Sequence, residues 1–431
     1  MAPGYPHNTS QVLPELSRRE FLVAGSAGVA AAALAAAGWS GAPRRTFAQG
    51  VSRVAWVRDD RAALGWSSDF SLRVDPAVAD AMMDQAVQLL TGQSTVAAAW
   101  AQIFQEHNGG AGYQPGQTIA IKVNYNNSSD NMQHNPNFQV LNALLRQLIE
   151  EVGIAPGDLI LYDSSRTFHR QFSDGVAARF PGVQNNPGSA TQYNQSVWNT
   201  RLTRLLEDVT YLINMPILRT HGAAGVSLSF KNHLGSVETP HVLHAGLEGA
   251  TPENSSLVTL NRHHLIRSKT LLVVADAIYG LRVGGPDANP GSAGNGILNP
   301  YPNSLFLSRD PVAVDSVMID YLASRGAVFQ RFGSHFEPRT YLIAAASIGL
   351  GTHEASPDFN YQSISLATCI NGQCSGAIVA LPPDSPAPTD EPGSDPTDEP
   401  ALTATPVATM AAGCHLPSYD EEQQIVVCTS G

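Results

Sequence analysis

Short apolar runs alternate along this chain with longer segments in which apolar residues recur every three to four positions. The runs lie at residues 54–57, 118–124, 159–163, 209–214 and 270–276. Most are rich in Val, Ile and Leu and have no polar face, the pattern of strands buried on both sides. Residues 75–90, 95–107, 138–152 and 310–324 read as helices. The third places Leu141, Leu144, Leu145 and Leu148 on one face. Asp75-Pro76 and Asp310-Pro311 supply a capping carboxylate followed by proline at the first helical position. Strands alternating with helices predict an α/β fold, a mainly parallel sheet with helices on both faces.

Outside these periodic segments the pattern lapses in three places. Residues 284–303 are rich in Gly, Pro and Asn and read as a long surface loop. Residues 383–411 are Pro, Thr, Ser and acidic residues, with Thr389-Asp390-Glu391-Pro392 repeated at Thr397-Asp398-Glu399-Pro400. Such a stretch has too little apolar surface for a core and predicts a disordered Pro/acidic linker. At the other end, Ser17-Arg18-Arg19-Glu20-Phe21-Leu22 precedes a soft Ala/Gly-rich run, with Arg44 and Arg45 beyond it. This is the form of a twin-arginine (Tat) signal peptide. The organisation expected is therefore a signal peptide (1–48), an α/β domain (49–382), a linker (383–411) and a small C-terminal segment (412–431). It predicts an extracytoplasmic protein handled by the Tat translocase, with no stable membrane span once the signal is cleaved.

The net charge is −12, from 25 basic and 37 acidic residues. An acidic chain without clustered bases is a poor partner for nucleic acid. All four cysteines come late, at 369, 374, 414 and 428. In an exported chain they suggest two disulfides, and their spacing is not that of a zinc or iron–sulfur site. There is no P-loop, no GxGxxG after a strand and no Gly-x-Ser-x-Gly elbow.

Candidate chemistry gathers at strand ends, where parallel sheets place ligands. Lys122 and Asn124, Asp163, Asn214 and Asp276 each close an apolar run. Arg supplies nearly all the positive charge. The chain's three lysines are Lys122, Lys231 and Lys269, and the first two sit beside polar clusters. Lysine is a compact charge and an amine whose pKa shifts on burial, which arginine is not. Six of 13 histidines fall between His221 and His264, among them the i, i+3 pair His241 and His244.

Several of these segments resemble the domain-of-unknown-function 362 family. They are Ile119-Ala120-Ile121-Lys122-Val123-Asn124, Asn214-Met215-Pro216-Ile217-Leu218-Arg219-Thr220-His221, Lys231-Asn232-His233-Leu234-Gly235, and Asp276 followed by Asp310-Pro311 and Asp315. Arg219 stands where the family often has lysine, so an amine-dependent role is not carried over there. Some relatives carry a ferredoxin-like cysteine array, which this chain lacks, so no iron–sulfur cluster is expected. The family has no settled activity, and the resemblance bears on fold and site rather than on the reaction.

The expected catalytic set is Lys122, Asn124, His221, Lys231 and Asn232, with Lys231 holding an anionic group and His221 acting as acid, base or ligand. The cofactor stays open; a divalent metal would take Asp163, His221 and Asp276. Asp315, inside a helix, reads as structural. The leading expectation is an exported α/β enzyme, metal-assisted or not, acting on a small anionic substrate. The alternative is a non-catalytic extracytoplasmic protein that binds a small ligand or the envelope.

Overall fold

Residues 119–123 and 159–162, apolar apart from Lys122 and Tyr162, are buried at every position, as strands covered on both faces must be. The computed structural model describes residues 51–66, 72–125, 135–283, 296–331, 333–375, 418–420 and 425–427. The expected signal peptide, the expected linker, most of the 284–303 loop, and Cys414 and Cys428 lie outside the described residues.

Along the chain, β1 (Ser52–Arg58), β2 (Ala63–Trp66) and β3 (Leu72–Val74) precede helices α1 (Pro76–Thr91) and α2 (Val96–His107). Then come β4 (Ile119–Val123), α3 (Phe138–Arg146), β5 (Leu159–Tyr162), α4 (Arg170–Arg179) and β6 (Gln184–Asn185). Next are β7 (Tyr193–Val197), β8 (Thr200–Thr203), α5 (Leu205–Asp208), β9 (Tyr211–Met215), β10 (Ile217–His221), β11 (Gly225–Val226) and α6 (Ser229–Asn232). Helices α7 (Ser256–Asn261) and α8 (His264–Arg267) lead into β12 (Thr270–Leu281), β13 (Ser304–Ser308) and α9 (Pro311–Ser324). The small pair β14 (Gln330–Arg331) and β15 (Ser334–His335), α10 (Arg339–Ser347), β16 (Ile364–Ile370) and β17 (Gln373–Ser375) follow. In the tail, β18 (Ser418–Asp420) and β19 (Ile425–Val427) pair antiparallel.

The main sheet runs β17-β16-β1-β13-β12-β9-β4-β5-β6. Strands β12, β9, β4, β5 and β6 are parallel neighbours, and β13 enters antiparallel between β12 and β1. The sheet is therefore mixed and mainly parallel. Helices cover it: Ala120, Leu212 and Val273 face one apolar cluster, while Ile121, Ile213 and Val274 face another containing α1, α2 and α3 side chains.

The caps follow the sequence reading. Asp75 accepts from the N–H groups of Ala77 and Val78, and Asp310 from those of Val312 and Ala313. Several elements differ from expectation, three of them near the site or the core. The helix expected over 138–152 is α-helical only to Arg146, then widens into one π turn, Gln147–Glu151. There the buried Gln147 accepts from Trp100 Nε1 at 2.9 Å and donates to Asp84 at 2.7 Å. The run expected to end at Asp276 continues to Leu281, because β10 takes over from β9 as its parallel partner once Pro216 has interrupted the chain. Strand β13, part of no expected element, occupies five residues between the Gly/Pro-rich loop and α9. Cys369 and Cys374 form a disulfide across the β16–β17 turn.

Among the described residues, no helix is long and apolar enough to cross a membrane.

Candidate functional site

Parallel register aligns Lys122 on β4 with Tyr162 on β5 and with Asn214 on β9. The three side chains share one face near the carboxyl edge, because side chains alternate between faces with period two. Lys122 is fully buried. Its Nζ donates to Asp163 Oδ2 at 2.9 Å, to the Val123 carbonyl at 2.7 Å and to Asn232 Oδ1 at 3.2 Å. All three ammonium donors are thus used. Burial pulls its pKa down, and the Asp163 carboxylate opposes that shift. Asp163 also accepts from the N–H and Oγ of Ser165 and from the N–H of Tyr125.

Across this edge lies the single turn α6. Its first two free N–H groups, on Ser229 and Phe230, donate to the Asp315 carboxylate at 2.8 and 3.1 Å. Asp315 is buried in α9, and burial raises its pKa to about 7 against the pull of these hydrogen bonds. It is structural, as expected, yet it fixes the turn that carries Lys231 and Asn232. Asn232 is spent on the scaffold: its Nδ2 donates to the Lys122 carbonyl and to Asn214 Oδ1. The Phe230 carbonyl is held in turn by Asn261 Nδ2.

In front of this scaffold opens a cavity of about 700 Å³. Asn124, Asp163, His221, Lys231 and Asn232 line it; Lys122 lies behind its wall and Asp276 is not among the lining residues. The structure thus brings together four of the five expected catalytic residues. Asn124 Nδ2 donates to Ser227 Oγ at 3.3 Å. His221, the last residue of β10, accepts the Ala223 N–H on Nδ1 at 3.0 Å, so the neutral ring carries its proton on Nε2. His244 stacks beside it with ring centroids 6.1 Å apart. Burial, then the charge of Lys231, lowers the His244 pKa to about 4.

Lys231 is only 7 % exposed. Unlike Lys122, its ammonium has no hydrogen-bond or ion-pair partner among the described residues. Burial first, then the charges of Arg219, Arg166 and Lys122, lower its pKa to about 7.

The expected metal trio is not assembled. Asp276 lies three residues beyond Val273, the position aligned with Asn214, so alternation turns it to the opposite face of the sheet from Lys122. There its carboxylate accepts from the N–H and Nδ2 of Asn137, both at 2.9 Å, and burial raises its pKa. Among the described residues no three His, Cys, Asp or Glu side chains are grouped to hold a metal. Of the clustered histidines, His221, His241 and His244 reach the cavity. His233 is buried against Ser236, and His263 and His264 lie in tilted ring contact outside the lining.

Sequence reasoning missed the walls formed by Ser164, Ser165, Arg166 and Thr167 and by Glu238 and Thr239. The Asp-Ser-Ser-Arg-Thr string after β5 was the available signal. Gly235, which closes the Lys231-Asn232-His233-Leu234-Gly235 segment, packs against the ion pair. A Cβ there would come within 2.6 Å of both Asp163 carboxylate oxygens and of Lys122 Nζ.

Fold and site define an α/β protein with a polar cavity, lined by Lys231, His221 and Asn124, at the carboxyl edge of a mainly parallel sheet. Residues 119–320 match the family described as Domain of unknown function (DUF362). That stretch runs from β4 into α9 and contains every cavity residue named above. No curated protein and no solved structure matches the chain.

Proposed function

We propose that the cavity binds a small anionic substrate and that the protein is an enzyme acting on it by proton transfer. The observation that carries this reading is a buried lysine, Lys231, that faces the cavity without a counter-ion among the described residues in a chain of net charge −12. The cavity's acids are neutralised locally: Asp163 by Lys122, and Glu238 by Arg201 at 2.8 Å. Lys231 has no such partner among the described residues, and it faces the cavity that Arg166, His221 and His244 also line. A buried ammonium without a counter-ion favours a ligand that supplies one. An amine whose pKa burial lowers to about 7, set beside an imidazole, is a pairing from which acid–base catalysts are made. In this reading Lys231 holds the anionic group or exchanges a proton with it, His221 donates from Nε2, and Asn124 and the Ser165 hydroxyl orient the substrate. A divalent metal assists only with ligands from the substrate or from outside the described residues, since Asp163, His221 and Asp276 do not meet.

We also propose export by the Tat route, on the strength of Arg18-Arg19 and the soft apolar run after them. Arg18→Lys/Arg19→Lys is expected to leave the protein inside the cell, as fractionation would detect.

The functional test is turnover of small carboxylates and phosphates by the wild type, by Lys231→Met and by His221→Ala. Turnover lost in both variants while folding is retained supports an enzyme. Binding without turnover of any of these compounds favours the non-catalytic ligand-binding alternative.

A further inference from the structure

We propose that Lys231 is a nucleophilic amine that condenses with the carbonyl carbon of a small oxo-acid in the cavity, the acidic group being a carboxylate or a phosphate. This rests on the anion-binding reading above and adds covalent chemistry to it.

The three lysines of the chain are differently employed. Lys122 uses its three donors on Asp163, Val123 and Asn232. Lys269 donates to the carbonyls of Leu206, Glu207 and Val209 at 2.6–3.1 Å. These are structural ammonium groups, each satisfied by acceptors. Lys231 has the same burial as a core residue, no acceptor among the described residues, and a cavity in front of it. A desolvated amine beside other cations is the setting in which lysine loses its proton and becomes a nucleophile near neutral pH. The lowered pKa agrees with that geometry. Arg166 lines the same cavity, and its charge is among those that lower the Lys231 pKa.

The step balances without an oxidant or reductant. The Nζ lone pair adds to the carbonyl carbon, and the oxygen that becomes negative accepts a hydrogen bond from the His221 Nε2–H. Neutral His244 takes one proton from the nitrogen and returns it to that oxygen, which gives a carbinolamine. The second nitrogen proton follows the same relay to the hydroxyl, which leaves as water, and a C=N bond to Lys231 remains with both histidines as they began. One water is released and no oxidation state changes.

The test is borohydride trapping on the full chain at about pH 7.5, with pyruvate in one arm and glyceraldehyde 3-phosphate in the other, followed by peptide mass spectrometry. The proposal predicts saturable labelling of Lys231 by at least one probe, well above Lys122 and Lys269, whose ammonium donors are all taken by acceptors. Lys231→Met, which puts no charge in the buried position, is expected to lose the label while staying folded. Equal labelling of Lys269, unsaturable labelling, or an unlabelled Lys231 in both arms overturns it. Calorimetric titration with oxalate, which has no ketone or aldehyde, separates the two readings. Oxalate binding without trapping removes the imine and leaves the anion site; neither binding nor trapping removes both.

Discussion

Gly235 lies against Asp163 so closely that a Cβ at this position would sit 2.5 Å from Asp163 Oδ2 and 2.6 Å from Lys122 Nζ. Its backbone has no room to retreat, because its carbonyl accepts from both the N–H and the Oγ of Ser164 at 2.7 Å. Gly235→Ala therefore has to part the buried ion pair or pull away the Ser164 wall. Breaking a buried pair costs roughly 3–5 kcal/mol. Denaturant unfolding is expected to show a loss in that range, with ligand binding lost as well. A variant as stable as the wild type would mean that the pair tolerates displacement.

Asp315 acts at one remove from the cavity. Asp315→Ala leaves the N–H groups of Ser229 and Phe230 buried without an acceptor, a cost of about 1–3 kcal/mol each. The turn carrying Lys231 loosens with them. Unfolding measurements are expected to show the destabilisation, and anion titration a weaker affinity. Asp315→Asn keeps one acceptor and should fall between.

Lys231 gives stability a pH dependence of definite sign. Its folded-state pKa is lowered to about 7, whereas in the unfolded chain it stays near the ordinary value of about 10.4. Between these values the unfolded state holds the proton and the native state does not, so this residue makes stability rise with pH across the window. Below it, both states are charged and the native state carries the whole cost of the buried ammonium. Lys231→Met is expected to stabilise by a few kcal/mol under about pH 7, with the gain fading towards pH 10. Denaturant midpoints at both ends of the window check this; a gain independent of pH would contradict it.

Asp276 separates a scaffold role from a site role. Asp276→Asn puts a donor among the N–H groups of Asn137 and Ile278, which should cost about 1–3 kcal/mol. Anion affinity should not change, because the residue lies on the other face of the sheet. A variant that unfolds as the wild type does but fails to bind would return Asp276 to the site.

The sequence made some of this legible and hid the rest for physical reasons. The continuous apolar runs of β4, β5 and β9 announce strands buried on both faces, and the scarcity of lysine singles out Lys122 and Lys231. Two further facts are not local. Which strand ends share a face depends on register, and an odd offset of three residues sends Asp276 away from Lys122 and Asn214. Which lysine is paired depends on a fold that brings Asp163 and Asn232 to Lys122 and brings neither to Lys231. Strand β13 escaped because five residues beside a Gly/Pro-rich loop offer little periodicity to read, and the wall residues 164–167 and 238–239 offer none.

The central claim is that a small anion binds at Lys231. Its most direct test is calorimetric titration with oxalate, pyruvate and inorganic phosphate at about pH 6.5, where the ammonium is mostly charged. The account predicts that at least one of them binds the wild type. Lys231→Met should bind it about tenfold or more weakly, the worth of one charge-assisted hydrogen bond. Equal affinity in Lys231→Met, or no binding of any of the three to the wild type, would contradict it.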